Sequence, residues 1–353
     1  MAVQPLVIWA VSDGRAGIEA QTLGLAEAVA RLRPARLETK RVRWPAGLGR
    51  LPWRLIPPRL NVGDDFGPPW PDIWIAAGRA TLPLSTRLRR WSNGATFVVQ
   101  TQDPRTDLRP FDLVIPPEHD RLIGPNVFPI LGAPNRLTPE RLTAALAAFP
   151  ALTGLPSPRV AVIIGGKSRA FDLPPERARA LADEIRAAVA GGSVLLSFTR
   201  RTPTAARQIL TQALADLPGM IWDDTGENPY FAFLAAADAI LVTEDSTNLA
   251  TDAAATGKPV FRLRLPGHSA KLARFHAELE RRGLARAFAG TLAGGAQSPL
   301  RETNRAAAEL LRRYDAAVQG GLISSNPAFA SADVRAFVAA RPDLANFGGH
   351  RRI

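Results

Sequence analysis

Val242-Thr243-Glu244-Asp245-Ser246-Thr247-Asn248-Leu249-Ala250-Thr251-Asp252-Ala253-Ala254-Ala255-Thr256-Gly257-Lys258-Pro259-Val260 decides how this chain folds. The apolar run Ala239–Val242 reads as a buried strand and leads into two acids, Glu244 and Asp245. A helix follows from Ser246 to Thr256, with Ser246 as its N-cap and Gly257 at its close. Pro259–Leu263 is the next strand. Such continuous apolar strands separated by helices imply a parallel sheet covered on both faces. Ligands of these sheets lie beyond the carboxyl ends of the strands, so the loop Thr243–Asn248 is the first place to look for chemistry. Glu244 can bind a ribose diol through two hydrogen bonds. Ser246 and Asn248 can donate to a phosphate where the helix dipole favours an anion. The alternative reading of the two adjacent carboxylates is a cap plus a solvated acid.

The same alternation extends in both directions. Arg159–Ile164, Ser193–Thr199 and Met220–Trp222 read as strands, with helices at Pro174–Ala190, Pro203–Leu214 and Tyr230–Ala237. Upstream, strands are expected at Leu6–Val11, Leu37–Val42, Asp72–Ala77, Ala95–Thr101 and Asp112–Ile115. Helices are expected there at Ile18–Leu32, Thr81–Trp91 and Thr138–Phe149. Ala151–Pro158, with two prolines and a glycine, is the linker. The expected fold class is α/β: two Rossmann-like parallel-sheet domains facing across a cleft. The first domain is expected over residues 1–150 and the second over 159–315. A tail over 316–353 is expected to pack back on the first.

The chain has 353 residues, 46% of them hydrophobic, enough for two cores. It has no cysteine, which removes disulfides and thiolate metal sites. His119, His268, His276 and His350 show no metalloprotease spacing, and no metal is expected. No stretch reaches the roughly 18 apolar residues of a spanning helix, and Met1–Ala10 lacks the features of a signal peptide. The expected location is cytoplasmic, with peripheral contact at the inner face of the membrane. Net charge is +12, and residues 1–60 hold ten basic residues against four acidic ones. Such a surplus attracts phosphates and anionic membrane surfaces. Nucleic acid is not an expected partner, because no recognition motif accompanies the charge. No oligomeric state is read from the sequence. Residues 44–71 form a long connection rich in proline, with Trp44, Trp53 and Trp70 beside Arg50, Arg54 and Arg59. That composition suits a membrane interface or a partner surface, but the more economical reading packs the tryptophans on their own domain.

Other strand ends carry polar groups too. Ser12-Asp13-Gly14-Arg15 follows the first strand, and Asp13 is either a general base near a sugar hydroxyl or a helix cap. Arg79 follows the third strand. Asp103, in Gln102-Asp103-Pro104-Arg105, is a second candidate base or a turn former. His119, in Pro117-Glu118-His119-Asp120, is an acid/base candidate or a structural hydrogen-bonder. In the second half, Gly165-Gly166-Lys167-Ser168 lacks the spacer of a Walker A loop, yet it offers amides, an ammonium and a hydroxyl to a diphosphate. Arg200 and Arg201 form a guanidinium pair suited to phosphate.

These blocks resemble the mitochondrial-fission, elongated-mitochondria family, over roughly residues 5–290. The resemblance is carried by Ser12-Asp13-Gly14-Arg15, Ala77-Gly78-Arg79, Gln102-Asp103-Pro104-Arg105, Arg200-Arg201-Thr202-Pro203 and the run from Glu227-Asn228-Pro229-Tyr230 to Val260. The chain departs from the family's usual opening block at Ala16 and Ile18, where proline and histidine are common. The resemblance implies a GT-B glycosyltransferase-like fold. It adds Asn228 to the nucleotide set of Gly165, Gly166, Lys167, Ser168, Arg200, Arg201, Glu244, Asp245, Ser246 and Asn248. Ser12, Asp13, Gly14, Arg15, Arg79 and Asp103 are left for the acceptor side. The expected activity is sugar transfer from a nucleotide-sugar donor, with no separate cofactor. A nucleotide-sugar epimerase and a non-catalytic adaptor on a membrane, the role known for the family's plant member, are the alternatives.

Overall fold

The computed structural model describes residues 4–323. The chain divides into two units, one running to Arg136 and resuming at Glu302, the other spanning Leu137–Arg301.

The first unit is built on a five-stranded parallel sheet of β1 (Leu6–Ser12), β2 (Ala35–Arg41), β3 (Ile73–Ala77), β4 (Phe97–Thr101) and β5 (Leu113–Ile115), in the order β2-β1-β3-β4-β5. Alternation along β1 sends Ile8 and Ala10 to one face and Trp9 and Val11 to the other. On the first face, Leu25 and Val29 of α1 (Ala16–Leu32) pack with the sheet. On the second, Leu84, Leu88 and Trp91 of α2 (Leu82–Trp91) join Trp74, Phe66 and Trp70. The Trp9, Phe66, Trp70 and Trp74 rings lie 5.5–6.3 Å apart in edge or tilted contacts, geometry that favours aromatic quadrupoles. Residues 44–71 therefore place their tryptophans against their own unit. Trp70 is buried, Trp44 and Trp53 pack on the same cluster, and Trp44 Nε1 donates to Ala80 O at 2.9 Å.

The second unit holds α3 (Pro139–Ala148), β6 (Arg159–Ile164), α4 (Pro175–Val189), β7 (Ser193–Phe198), α5 (Thr204–Leu214), β8 (Gly219–Ile221), α6 (Tyr230–Ala236) and β9 (Ala239–Thr243). It continues with α7 (Thr247–Ala255), β10 (Val260–Leu263), α8 (Ala270–Arg281) and β11 (Arg286–Ala287). All six strands are parallel, in the order β11-β10-β9-β6-β7-β8. Numbered within the unit this is the 3-2-1-4-5-6 arrangement of a Rossmann sheet. Leu181 and Ile185 of α4 and Leu210 of α5 cover one face over Val160, Val162 and Leu196. Each such fully buried side chain contributes about 1.5–3 kcal/mol of transfer free energy.

The unit boundaries differ from those expected at 150 and 159. Thr138 does cap α3, its side chain accepting from Arg141 N, but α3 packs on α6, with Arg141 over the Phe231 ring at 5.6 Å. The crossing into the second unit therefore precedes the proline-containing linker. The return is also earlier than residue 316. It is made by α9 (Glu302–Gln319), whose Ala306, Leu310 and Tyr314 pack on the face of the first sheet that α1 covers. Arg33 and Asp315 form a bidentate pair at 2.7 Å on both arms, and Glu302 Oε2 accepts from Leu131 N. The expected tail beyond Ile323 lies outside the described residues.

Candidate functional site

Chain order in the second sheet reverses between β6 and β9, the two strands from which it grows outward. In open α/β sheets a ligand crevice opens at such a reversal, beyond the strands' carboxyl ends. Here the loop after β6 meets the loop after β9. Gly165 N donates to Thr243 Oγ1 at 2.7 Å and Gly166 N to Asp245 Oδ2 at 3.2 Å. Glycine at 165 is required by this approach, since a Cβ there would stand 2.2 Å from Asp245 Oδ1. Lys167 N donates to Arg201 O, and Ser168 Oγ accepts from Ala170 N and Phe171 N. The expected role of the glycine loop is to offer its amides to a diphosphate. Instead those amides are bonded within the protein, because a side-chain carboxylate and hydroxyl at the end of β9 reach them first.

Asp245 is the centre of this arrangement. Its side chain is wholly buried, and Oδ2 pairs with Arg201 at 2.7 Å. The Arg201 side chain remains 38% exposed, so one side of it faces solvent while the other holds the acid. Arg200, its neighbour, is exposed. Ser246 caps α7 by accepting from Leu249 N, and Asn248 lies in that helix's first turn. Asn228 Oδ1 closes a turn by accepting from Tyr230 N at 2.9 Å. Tyr230 Oη in turn donates to Asp252, tying α6 to α7, and burial lifts the Asp252 carboxyl to about 7.

Glu244 points the other way along the sheet edge. Its Oε1 accepts from Leu265 N at 2.8 Å, and its Oε2 lies 3.2 Å from Arg262, which also pairs with Glu280. His276 Nε2 donates to Glu244 O at 2.9 Å, and burial holds this imidazole below its usual pKa. Glu244, Arg262, His268, Ser269, His276 and Phe171 line a cavity of about 290 Å³. Asp245 Oδ1 and Arg262 Nε are buried with no hydrogen-bond partner among the described residues, so the network keeps unmet capacity at two points. Among the described residues no cluster of metal-ligating side chains occurs.

The first sheet reverses between β1 and β3, and its loops meet there in the same sense. Gly78 lies against Ile18 and within 4 Å of the Arg15 guanidinium from its Cβ direction. Ser12 is buried and its Oγ donates to Glu19. Glu19 takes both arms of Arg41 at 2.8 and 2.9 Å, which lowers its pKa. Asp13 accepts from Arg15 N through Oδ1 and pairs with the Arg15 side chain at 2.7 Å, so its visible work is to close the turn around Gly14. Asp103 does the same for Arg105 N at 2.7 Å. Arg79 donates to Leu51 O. His119 is buried, its Nε2 3.9 Å from Asp120 Oδ1.

The family model described as Mitochondrial fission ELM1 matches residues 16–314. The chain belongs to that family. Mitochondrial fission protein ELM1 of Arabidopsis thaliana is 32% identical over 275 residues, which cover 70% of this chain and 64% of the plant protein, less than two thirds of its length. An uncharacterized Rickettsia prowazekii protein, RP120, is 27% identical over 260 residues, covering 62% of this chain and 72% of that one. Among solved structures, UDP-GlcNAc 2-epimerase of Methanocaldococcus jannaschii, in complex with UDP-GlcNAc and UDP, superposes with a TM-score of 0.52 at 12% identity, over 88% of this chain and 99% of that one. At that identity the likeness concerns the fold, which is the pair of parallel-sheet domains of the GT-B type.

In this member of the ELM1 family, sequence reading missed Arg262, His276 and the pairing of Asp245 with Arg201. Phe261-Arg262-Leu263-Arg264-Leu265 alternates apolar and basic residues, the signal that Arg262 leaves the core face and reaches the strand edge. The lysine of the Gly257-Lys258-Pro259 block serves the fold. Its Nζ donates to Ala235 O and Ala237 O at the end of α6, and burial lowers its pKa to about 8.

Proposed function

We propose that this protein is a nucleotide-sugar-dependent glycosyltransferase whose second unit holds the donor. One observation carries the reading. At the reversal of a Rossmann-ordered sheet, Asp245 holds Arg201 just ahead of the N-terminus of α7, and the preceding acid, Glu244, turns to the other side and lines a cavity of about 290 Å³. In the reaction the bond from the anomeric carbon to the diphosphate breaks and a bond to an acceptor oxygen forms. The diphosphate leaves with the bonding electrons, and the acceptor hydroxyl gives up its proton to solvent water as the new bond forms. Arg201 and the helix amides are the groups suited to meet its growing charge. Glu244 and Arg262 are suited to hydroxyl and carbonyl groups of the nucleoside or sugar. The family's fold neighbour from Methanocaldococcus jannaschii is described with UDP-GlcNAc and UDP bound, which makes a uridine nucleotide the first ligand to try.

A second reading, a non-catalytic adaptor, draws on a different observation. Asp13 and Asp103 are both committed to turns, and the histidine common in the family's opening block is Ile18 here. A thermal-shift series with nucleoside diphosphates and their sugars tests the proposal. At 100 times Kd a ligand adds about 2.7 kcal/mol of stability. The transferase reading requires a saturable shift with at least one of them, followed by free nucleoside diphosphate and a glycosylated product on adding acceptor. Interconversion of two nucleotide sugars without transfer would instead identify an epimerase. No shift with any of them would favour the adaptor.

A further inference from the structure

We propose that residues 43–62 form a docking surface for an anionic lipid bilayer, independent of the donor site. Four of the seven exposed large hydrophobic residues among those described fall within these positions: Leu51 (40% exposed), Leu55 (65%), Leu60 (38%) and Val62 (59%). Between Glu38 and Asp64 the chain carries Lys40, Arg41, Arg43, Arg50, Arg54 and Arg59 and not one acid. Arg43, Arg54 and Arg59 are exposed.

The segment is held from beneath. Ile56 is buried, Trp44 and Trp53 pack on the aromatic core, Trp44 Nε1 donates to Ala80 O, and Arg79 donates to Leu51 O. Val62 N donates to Arg43 O and Arg43 N to Asn61 Oδ1, so the exposed valine is fixed beside an exposed arginine. The tryptophans thus anchor the loop while leucines and arginines face outward together. Exposed aliphatic side chains gain by entering the acyl boundary of a bilayer, and guanidinium groups gain at its phosphates. Nucleic acid would use the arginines and leave the leucines in water. An uncharged apolar partner would use the leucines and leave the cations idle.

Co-sedimentation of the full chain tests the proposal, using vesicles of phosphatidylcholine alone and with about one-third phosphatidylglycerol. Binding is expected to the mixed vesicles and far less to the neutral ones. It should weaken as salt shortens the screening length from ~10 Å at 0.1 M to ~3 Å at 1 M. R54Q/R59Q should weaken it about 25-fold, roughly fivefold for each charge near the surface. L55E/L60E should abolish it, with melting temperatures unchanged because both residues are exposed. Absent binding, equal binding to both vesicle types, or L55E/L60E binding like the parent would each overturn the proposal. None of those results bears on nucleotide binding by the second unit.

Discussion

At the reversal of the first sheet, between β1 and β3, the two candidate acids, Asp13 and Asp103, bond within their own short turns, while Glu19 and Arg79 make the longer-range bonds. Asp13 holds Arg15 two residues away, and Arg15 is 59% exposed. At the reversal of the second sheet, between β6 and β9, the bonds are long-range: Asp245 reaches Gly166 and Arg201, and Glu244 reaches Arg262 and Leu265. Asp245 is also fully enclosed. The acids at the first reversal thus close short turns beside exposed arginines, and those at the second are cross-linked to distant residues. A buried ionic network is costly to assemble and more costly to leave half paired, so it holds its geometry. Preorganised charge of that kind is what a departing diphosphate needs.

The two reversals should differ most at their glycines. Gly165→Ala drives a methyl into the Asp245 carboxylate and should lower stability by roughly 3 kcal/mol. Gly14→Ala meets only the Arg41 side chain, at an ordinary 3.5 Å, and suffers the left-handed backbone at φ +77, about 1–2 kcal/mol. Urea unfolding of the two variants compares them directly, and equal losses would erase the distinction. Next come the acids. Asp245→Asn leaves Arg201 without its counter-ion and should cost roughly 2 kcal/mol, since Arg201 is partly hydrated. Asp13→Asn should cost under about 0.5 kcal/mol because its partner is exposed.

The smallest expected effect concerns a feature the units share. Glu278 of α8 pairs with Arg281 and Arg282, and Glu309 of α9 pairs with Arg312 and Arg313. Both carboxyls are held down to about 2, chiefly by those guanidinium hydrogen bonds. A carboxylate with a depressed folded pKa stabilises above its unfolded value, ~4.3, and that stabilisation is lost as pH falls toward 2. Glu278→Gln and Glu309→Gln should each remove under about 1 kcal/mol of this acid-sensitive stability, and by similar amounts. Melting curves across that pH window would show any inequality.

Much of the fold was legible because its strands are continuous apolar runs. Arg159–Ile164 forms as expected, and Leu6–Ser12, Ser193–Phe198 and Ala239–Thr243 differ by one residue at an end. The return of α9 to the first unit was placed too late, although Ala306, Leu310 and Tyr314 carry a helical spacing. Nothing local in that spacing says which of two sheets the helix joins. At the candidate site, position was legible and pairing was not. The glycines, Arg201 and Glu244 do lie at strand tips of one sheet. Yet no property of Gly165-Gly166 as a sequence reveals that Thr243 and Asp245, 78 and 79 residues on, take its amides.

Calorimetric titration of uridine diphosphate into the parent protein and Arg201→Ala tests the central claim most directly, with thermal melts confirming that both are folded. Saturable one-to-one binding is expected in the parent and a roughly 10- to 150-fold weaker affinity in the variant, about 1.5–3 kcal/mol for a charged hydrogen bond. Binding of equal strength in both proteins would contradict that claim.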